Sequence, residues 1–344
     1  MAYQWAVIGA GPAGIATIGN LLDQGIPAKE IVWIDPKFRV GDFGELWSDV
    51  PSNTKVSLFI KFLNTCKSFD YSSCAEDFAL NHADPDKTCQ LGLMKGPLQW
   101  VTDQLKNKVN FIQDTVQELS LHNRAWNIKL KNEIVSARKT VMATGSEPKN
   151  LAFSSPHIIP LSDAMDGKRI HDYCSKDETI AVFGSSHSAI LVLRNLVESG
   201  VKRIINFYRS PLCYAVYLDD WILFDDTGLK GPTADWAREN IDGILPANLE
   251  RVYSNNENIE HFLPQCSKVI YAVGFDRRVI PVKDLGHLSY IEECGIIAPG
   301  LFGVGIGFPE GKYNPLGIYE YRVGLWKFMD YIQRVMPIWL KYTT

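Results

Sequence analysis

Trp5-Ala6-Val7-Ile8-Gly9-Ala10-Gly11-Pro12-Ala13-Gly14 stands at the start of the chain and decides its fold class. An apolar run reads as a buried strand, the glycines as a turn, and Ile15, Ile18, Leu21 and Leu22 continue at helical spacing. Gly25 ends that helix, Glu30–Ile34 reads as the next strand, and Asp35 closes it. Each glycine has a task in such a unit. Gly9 permits a tight turn, Gly11 lets the backbone approach a pyrophosphate, and Gly14 lets helix and strand pack closely. Pro12 and Ala13 open the helix, whose N-terminus presents unpaired N–H groups and partial positive charge to phosphates. Asp35 then stands where a carboxylate can accept hydrogen bonds from ribose hydroxyls.

The same order returns in the middle of the chain. Thr179–Phe183 is a strand, Gly184-Ser185-Ser186-His187-Ser188-Ala189 a turn, and Leu193, Leu196 and Val197 lie on a helix that stops at Gly200 before the strand Arg203–Tyr208. Ala189 is an accepted variant of the third glycine. Ser186 replaces the middle one, and its hydroxyl can donate to a phosphate oxygen, so Gly184, Ser186, His187 and Ser188 are the expected contacts. After the second strand comes Tyr208-Arg209-Ser210, with no acid at the ribose position. A carboxylate there favours NADH, whereas Arg209 can pair with a 2′-phosphate and argues for NADPH. The fold class expected is α/β with two Rossmann-like dinucleotide-binding domains.

The bulk properties fit that reading. The chain has 344 residues, enough for two domains, and a formal net charge of −4 that gives no basic field for nucleic acid. No charged and apolar leader precedes the first strand, and no stretch approaches the roughly 20 apolar residues of a membrane-spanning helix. The seven cysteines are scattered without a C-x-x-C pair or zinc-type spacing, which points to a reducing compartment, the cytoplasm, and to no metal site. A homodimer is left open.

Between the two turns, Val109–Leu121 (which carries Val116), Ala125–Leu130 and Glu133–Ser136 read as short strands leading into Thr140–Thr144 and a Gly145-Ser146 turn. The region 210–266 shows few strand signals and one helix at Pro232–Ile241. Its segment Asp225–Gly231 is a candidate substrate or lid loop. Leu316–Met336 has helical periodicity that Pro337 should stop.

Gly9-Ala10-Gly11-Pro12-Ala13-Gly14 with Asp35 resembles the FAD fingerprint of two-dinucleotide-binding-domain flavoproteins. Val141-Met142-Ala143-Thr144-Gly145 resembles their ATG motif, and Tyr271-Ala272-Val273-Gly274-Phe275 the second crossing between domains. The resemblance implies FAD held by residues 1–155 and 275–344, split by an inserted NAD(P)H domain over 156–274. Thr144, Gly145, Gly274 and Val116 join the expected cofactor contacts. Gly44-Glu45-Leu46-Trp47, Asn53-Thr54-Lys55 and Phe59 are similar to flavin-containing monooxygenases, which implies Trp47 beside the flavin and Asn53 at its reactive edge. Core roles for Trp47 and Phe59 and a turn cap for Asn53 are the structural alternatives. Phe153–His157 lacks the glycine and the spacing of the monooxygenase signature before the second turn. Asn314-Pro315-Leu316-Gly317 is expected to start the last helix beside the flavin pyrimidine, where its dipole would favour a reduced anionic ring. Three functional classes stay open. They are NADPH-dependent monooxygenation of a small nucleophilic substrate, reduction of a quinone or protein acceptor without a redox disulfide, and flavin-based sensing.

Overall fold

The computed structural model describes residues 2–153, 156–283, 285–286 and 288–342. The chain divides into two compact units, one of residues 1–146 with 277–344 and one of 147–276. The changeovers thus fall at Ser146/Glu147 and Asp276/Arg277. Ser154 and Ser155 of the Phe153–His157 stretch lie outside the described residues.

In the first unit Tyr3–Ile8 is central, with Ile31–Ile34 and Ile134–Met142 parallel to it on either side. Asn110–Ile112 extends the sheet in parallel beyond Ile31–Ile34. Ala125–Lys129 and Glu118–His122 add antiparallel strands beyond Ile134–Met142, and Leu301–Gly303 joins that same strand in parallel. Side-chain alternation covers both faces. Trp5, Val7 and Trp33 pack with helices Pro12–Asp23 and Leu325–Lys341, while Ala6, Ile8, Val32 and Ile34 pack with Trp126, Leu301 and Phe308. The second unit is a five-stranded parallel sheet in the order His157–Ile158, Lys268–Tyr271, Thr179–Phe183, Arg203–Tyr208, Leu249–Tyr253.

Several expected elements differ. The stretch Val109–Leu121 is broken after Ile112, because the Asp114 carboxylate accepts from the N–H groups of Thr115 and Lys131 and turns the chain. Glu133–Ser136 and Thr140–Thr144 lie on one strand, Ile134–Met142. Lys139 hid that continuity, yet its ammonium lies 4.9 Å over the Trp5 ring and donates to the Leu340 carbonyl at 3.0 Å. The region 210–266 supplies the edge strand Leu249–Tyr253, whose Glu250 and Arg251 mask its apolar pattern.

The last helix runs Leu325–Lys341, not Leu316–Met336, and Pro337 lies inside it. Asn314-Pro315-Leu316-Gly317 is instead the turn of a hairpin between Glu310–Tyr313 and Tyr319–Arg322. The Asn314 side chain accepts from the N–H groups of Leu316 and Ile318, and Gly317 takes φ +77°. An Asn that captures its neighbours' N–H groups competes with helix formation. On either side of Pro337 the buried Val335, Met336 and Trp339 keep the helix packed, which offsets one lost backbone bond.

Candidate functional site

The first glycine turn is fixed by three contacts. Gly9 N–H donates to Ile34 at 2.8 Å, Ala143 N–H donates to Ile8 at 2.8 Å, and a Cβ on Gly9 (φ +107°) would lie 2.3 Å from the Ala143 oxygen. Gly14 is equally constrained, since a Cβ there would lie 2.0 Å from the Gly9 oxygen. Gly11 is different. Its φ of −76° suits any residue, and the nearest atom a Cβ would meet is the Val40 oxygen at 3.9 Å. Neither backbone nor packing of the protein requires glycine here. The open space lies at the helix N-terminus, as a pyrophosphate cradle requires.

Asp35 is 9% exposed and does more than the sequence predicts. Its Oδ2 accepts from Ala10 N–H at 2.7 Å, and its Oδ1 accepts from the N–H groups of Lys37 and Phe38 at 2.8 and 2.7 Å. A carboxylate has about four acceptor positions, so Oδ2 keeps capacity for a ribose hydroxyl. The chain beyond it is strained: Phe38 and Val40 take left-handed φ values of +53° and +61°. The Phe38 ring holds this loop by packing edge-on to Trp33 at 5.1 Å. The loop comes back over the turn, where a Cβ on Gly41 would lie 3.1 Å from the Gly11 Cα.

These elements enclose a cleft of about 420 Å³ lined by Gly9, Asp35, Arg39, Val116, Thr144 and Arg278 among others. Two ion pairs border it, Lys37–Glu45 at 2.6 Å and Arg278–Asp42 at 2.5 Å. The exposed Arg39 has no ion-pair partner among the described residues. The ATG stretch is tied to the returning chain, with Thr144 Oγ1 donating to the Arg278 oxygen and Arg278 N–H donating to Gly145. Gly303-Val304-Gly305-Ile306-Gly307 completes this end, a run of alternate glycines that lies outside both strand–turn–helix units of the sequence. A Cβ on Gly305 would lie 2.7 Å from Ala13, and one on Gly307 would lie 2.4 Å from the Gly145 oxygen.

The second unit repeats the backbone bonds that close the turn onto its strands. Gly184 N–H donates to Phe207 at 2.9 Å, Ala272 N–H donates to Phe183 at 2.8 Å, and a Cβ on Gly184 (φ +128°) would lie 2.3 Å from the Ala272 oxygen. Ser186 is the exposed N-cap of helix His187–Ser199, and its hydroxyl makes no bond to that helix. His187 and Ser188 form its first turn, and Gly274 follows Ala272 and Val273 with φ +101°. Arg209 is exposed and has no ion-pair partner among the described residues.

Gly9, Asp35, Val116 and Thr144 thus converge on one cleft, with Gly11, Pro12, Ala13, Gly14 and Gly145 in the turns beside it. Trp47, Asn53 and Gly317 do not line it. Trp47 is half-buried, Asn53 is exposed on the strand Pro51–Lys55, and Gly317 is exposed at its hairpin tip. All seven cysteines are free thiols. Burial pushes the Cys66 thiol up, and the Cys174 and Cys266 thiols up to about 11. Thiols held protonated are poor redox nucleophiles. Among the described residues no group of side chains could hold a metal ion, and no helix is long and apolar enough to cross a membrane.

No family model matches the chain. The monooxygenase AgnR1 of Paecilomyces divaricatus is 35% identical over 387 aligned positions, covering 97% of each chain. The chain belongs to this monooxygenase family. The monooxygenase is therefore an oxidoreductase, and its architecture is the two-domain FAD/NAD(P) oxidoreductase fold. The ornithine N-hydroxylase of Kutzneria sp. 744 aligns over 99% of both chains with a TM-score of 0.67 at 12% identity. The bacillithiol disulfide reductase Bdr of Staphylococcus aureus aligns over 100% of both with 0.66 at 12%. At such identity the likeness is one of fold, shared by oxygenase and reductase alike.

Proposed function

We propose that this monooxygenase binds FAD in the unit of residues 1–146 and 277–344, binds NADPH in the inserted unit, and oxygenates a small nucleophilic substrate. The observation that carries the reading is the pair of glycine turns, alike in backbone, one closed on Asp35 and the other followed by Arg209, which has no ion-pair partner among the described residues. The Kutzneria relative was solved with reduced FAD, NADP+ and L-ornithine, a cofactor pair of the same kind. FAD supplies the electron transfer between NADPH and oxygen; this chain's residues bind, orient and shield. Gly11 and the N-terminus of helix Pro12–Asp23 would take the pyrophosphate, and Asp35 a ribose hydroxyl. A redox-disulfide reductase lacks support from Cys66, Cys89, Cys174 and Cys266, whose thiols burial pushes up. The test is direct. Purified enzyme given NADPH and labelled dioxygen should place the label in an amine or sulfide product, and NADPH oxidation without labelled product in any substrate tried would favour the reductase.

Arg209 should set the choice of nicotinamide. Losing a charge-assisted pair costs about 1.5–3 kcal/mol, so Arg209→Ala should weaken NADPH roughly tenfold to hundredfold. NADH binding should hardly move. Equal losses for both coenzymes, measured as KM and Kd, would remove Arg209 from the phosphate.

Asn53 is the residue proposed to act on the oxidative chemistry. Among the described residues the only hydrogen-bond contact of its side chain is one of 3.5 Å from the Thr54 hydroxyl to its amide oxygen, and it is exposed. The fold has little stake in that amide, so Asn53→Ala should change stability by no more than about 0.5 kcal/mol. Coupling should suffer instead, with NADPH consumed, hydrogen peroxide released, and product yield per NADPH down about tenfold. A variant with unchanged coupling and a melting point several degrees lower would make Asn53 a structural residue.

A further inference from the structure

The two turns share their backbone bonds but differ in what closes them. In the first unit the Gly9–Ala10 peptide is held at both ends. Its carbonyl accepts from Trp33 Nε1 at 2.9 Å, and its N–H donates to Asp35 at 2.7 Å. Strand register identifies the equivalent residues. Trp33 lies opposite Val7 and Phe111, while Asn206 lies opposite Val182 and Arg251. Asn206 is therefore the second unit's Trp33, Tyr208 its Asp35, and Arg251 its Phe111.

Asn206 is fully buried, and its Nδ2 donates to the Gly184 oxygen at 2.8 Å and the Val182 oxygen at 3.1 Å. The carbonyl end of the Gly184–Ser185 peptide is thus held as in the first unit. The other end is not. Tyr208 brings no carboxylate, and the Ser185 N–H has no acceptor among the described residues. Arg251 Nε donates to Asn206 Oδ1 at 2.9 Å, and its guanidinium lies 4.4 Å over the Tyr208 ring. It makes no ion pair within 4 Å among the described residues, the Asp242 carboxylate acting on it only from farther off, and its Nη2 is buried without a hydrogen bond. Burial holds this guanidinium below the usual arginine range.

Where the first unit has a carboxylate and a neutral ring, the second has an open N–H and a half-buried cation. A ribose with free hydroxyls gives such a site nothing to neutralise. A phosphate does, and charge-assisted bonds to it are the strong ones. We propose that Ser185 N–H and Arg251, with Arg209, form the 2′-phosphate subsite of the inserted unit, the phosphate standing where the first unit holds its Asp35 carboxylate. Asn206 is the positioning residue, since fixing the Gly184 carbonyl fixes the N–H across the same planar peptide. The assignment rests on the reading of this unit as the NADPH unit.

Calorimetric binding of 2′,5′-ADP and 5′-AMP to the FAD-loaded protein tests it without turnover. Wild type should prefer 2′,5′-ADP by at least about tenfold. Asn206→Leu should lose about tenfold in 2′,5′-ADP affinity while 5′-AMP affinity and FAD content hold. Tyr208→Asp, at a half-buried position, is a second variant independent of Asn206→Leu and rebuilds the first unit's carboxylate. It should weaken 2′,5′-ADP about hundredfold and spare 5′-AMP. Unchanged 2′,5′-ADP binding in Tyr208→Asp, or equal losses of both nucleotides, would overturn the subsite. A wild-type protein that binds 5′-AMP as tightly as 2′,5′-ADP would overturn the NADPH reading itself, before any variant is made.

Discussion

Gly11→Val is expected to give a folded, colourless protein that FAD cannot reconstitute. Three glycines form the first turn, and only this one is spared by the fold. At Gly9 and Gly14 an added Cβ runs into backbone oxygens at 2.3 and 2.0 Å, so substitutions there should prevent folding. At Gly11 the backbone is extended (φ −76°, ψ 178°) and the nearest atom stands 3.9 Å away. Replacing glycine at a compatible conformation tends to stabilise, by about 0.4–1 kcal/mol, because the unfolded chain loses freedom. The apoprotein should therefore melt no lower than wild-type apoprotein. The side chain instead fills the space over the helix N-terminus, and bound FAD per chain should fall below about a tenth. Circular dichroism and flavin absorbance on the same sample decide it. A yellow variant would show that no pyrophosphate crosses Gly11, and an unfolded one that the space is not open.

Both glycine turns are legible in the sequence because their demands are local: a glycine, a helix start and a strand end within one short stretch. Their supports are not local. Trp33 and Asn206 meet the turns through strand register, and nothing in the order of residues shows that an indole and an amide share one position. Asp35 reads in the sequence as a ligand group, yet it also anchors the Ala10 N–H of the glycine turn and the Lys37 and Phe38 N–H groups of its own loop. That loop places Val40 in a left-handed conformation that propensity would never assign to a β-branched residue. Gly303, Gly305 and Gly307 were visible but lacked the flanking strand–helix order that gives glycines meaning. Gly317 shows the opposite error. Helical spacing further along invited a longer helix, while the Asn314 side chain closed a hairpin. Asn53 and Trp47 came from resemblance, and the physical support for Asn53 is that the fold makes so little use of it.

Trp339→Ala is expected to lower the temperature at which the first unit releases its flavin by roughly 10 °C. Trp339 is fully buried near the end of helix Leu325–Lys341. Its Nε1 donates to the Cys294 oxygen at 2.7 Å, and its ring stacks on Phe302 with centroids 4.8 Å apart. Truncating a buried aromatic side chain costs about 3–5 kcal/mol through lost burial and the cavity left behind. The Cys294 carbonyl loses its donor as well. For a unit of this size each kcal/mol moves the midpoint by roughly 2–4 °C. The damage lies close to the cofactor turn, because Phe302 belongs to the strand that runs into Gly305, against Ala13. Trp339→Phe keeps an aromatic ring against Phe302 and loses the N–H, so its drop should be less than half as large. The readout is the rise in free-flavin fluorescence on heating. A shift below about 2 °C in Trp339→Ala would mean that the C-terminal helix is not part of what holds this unit together.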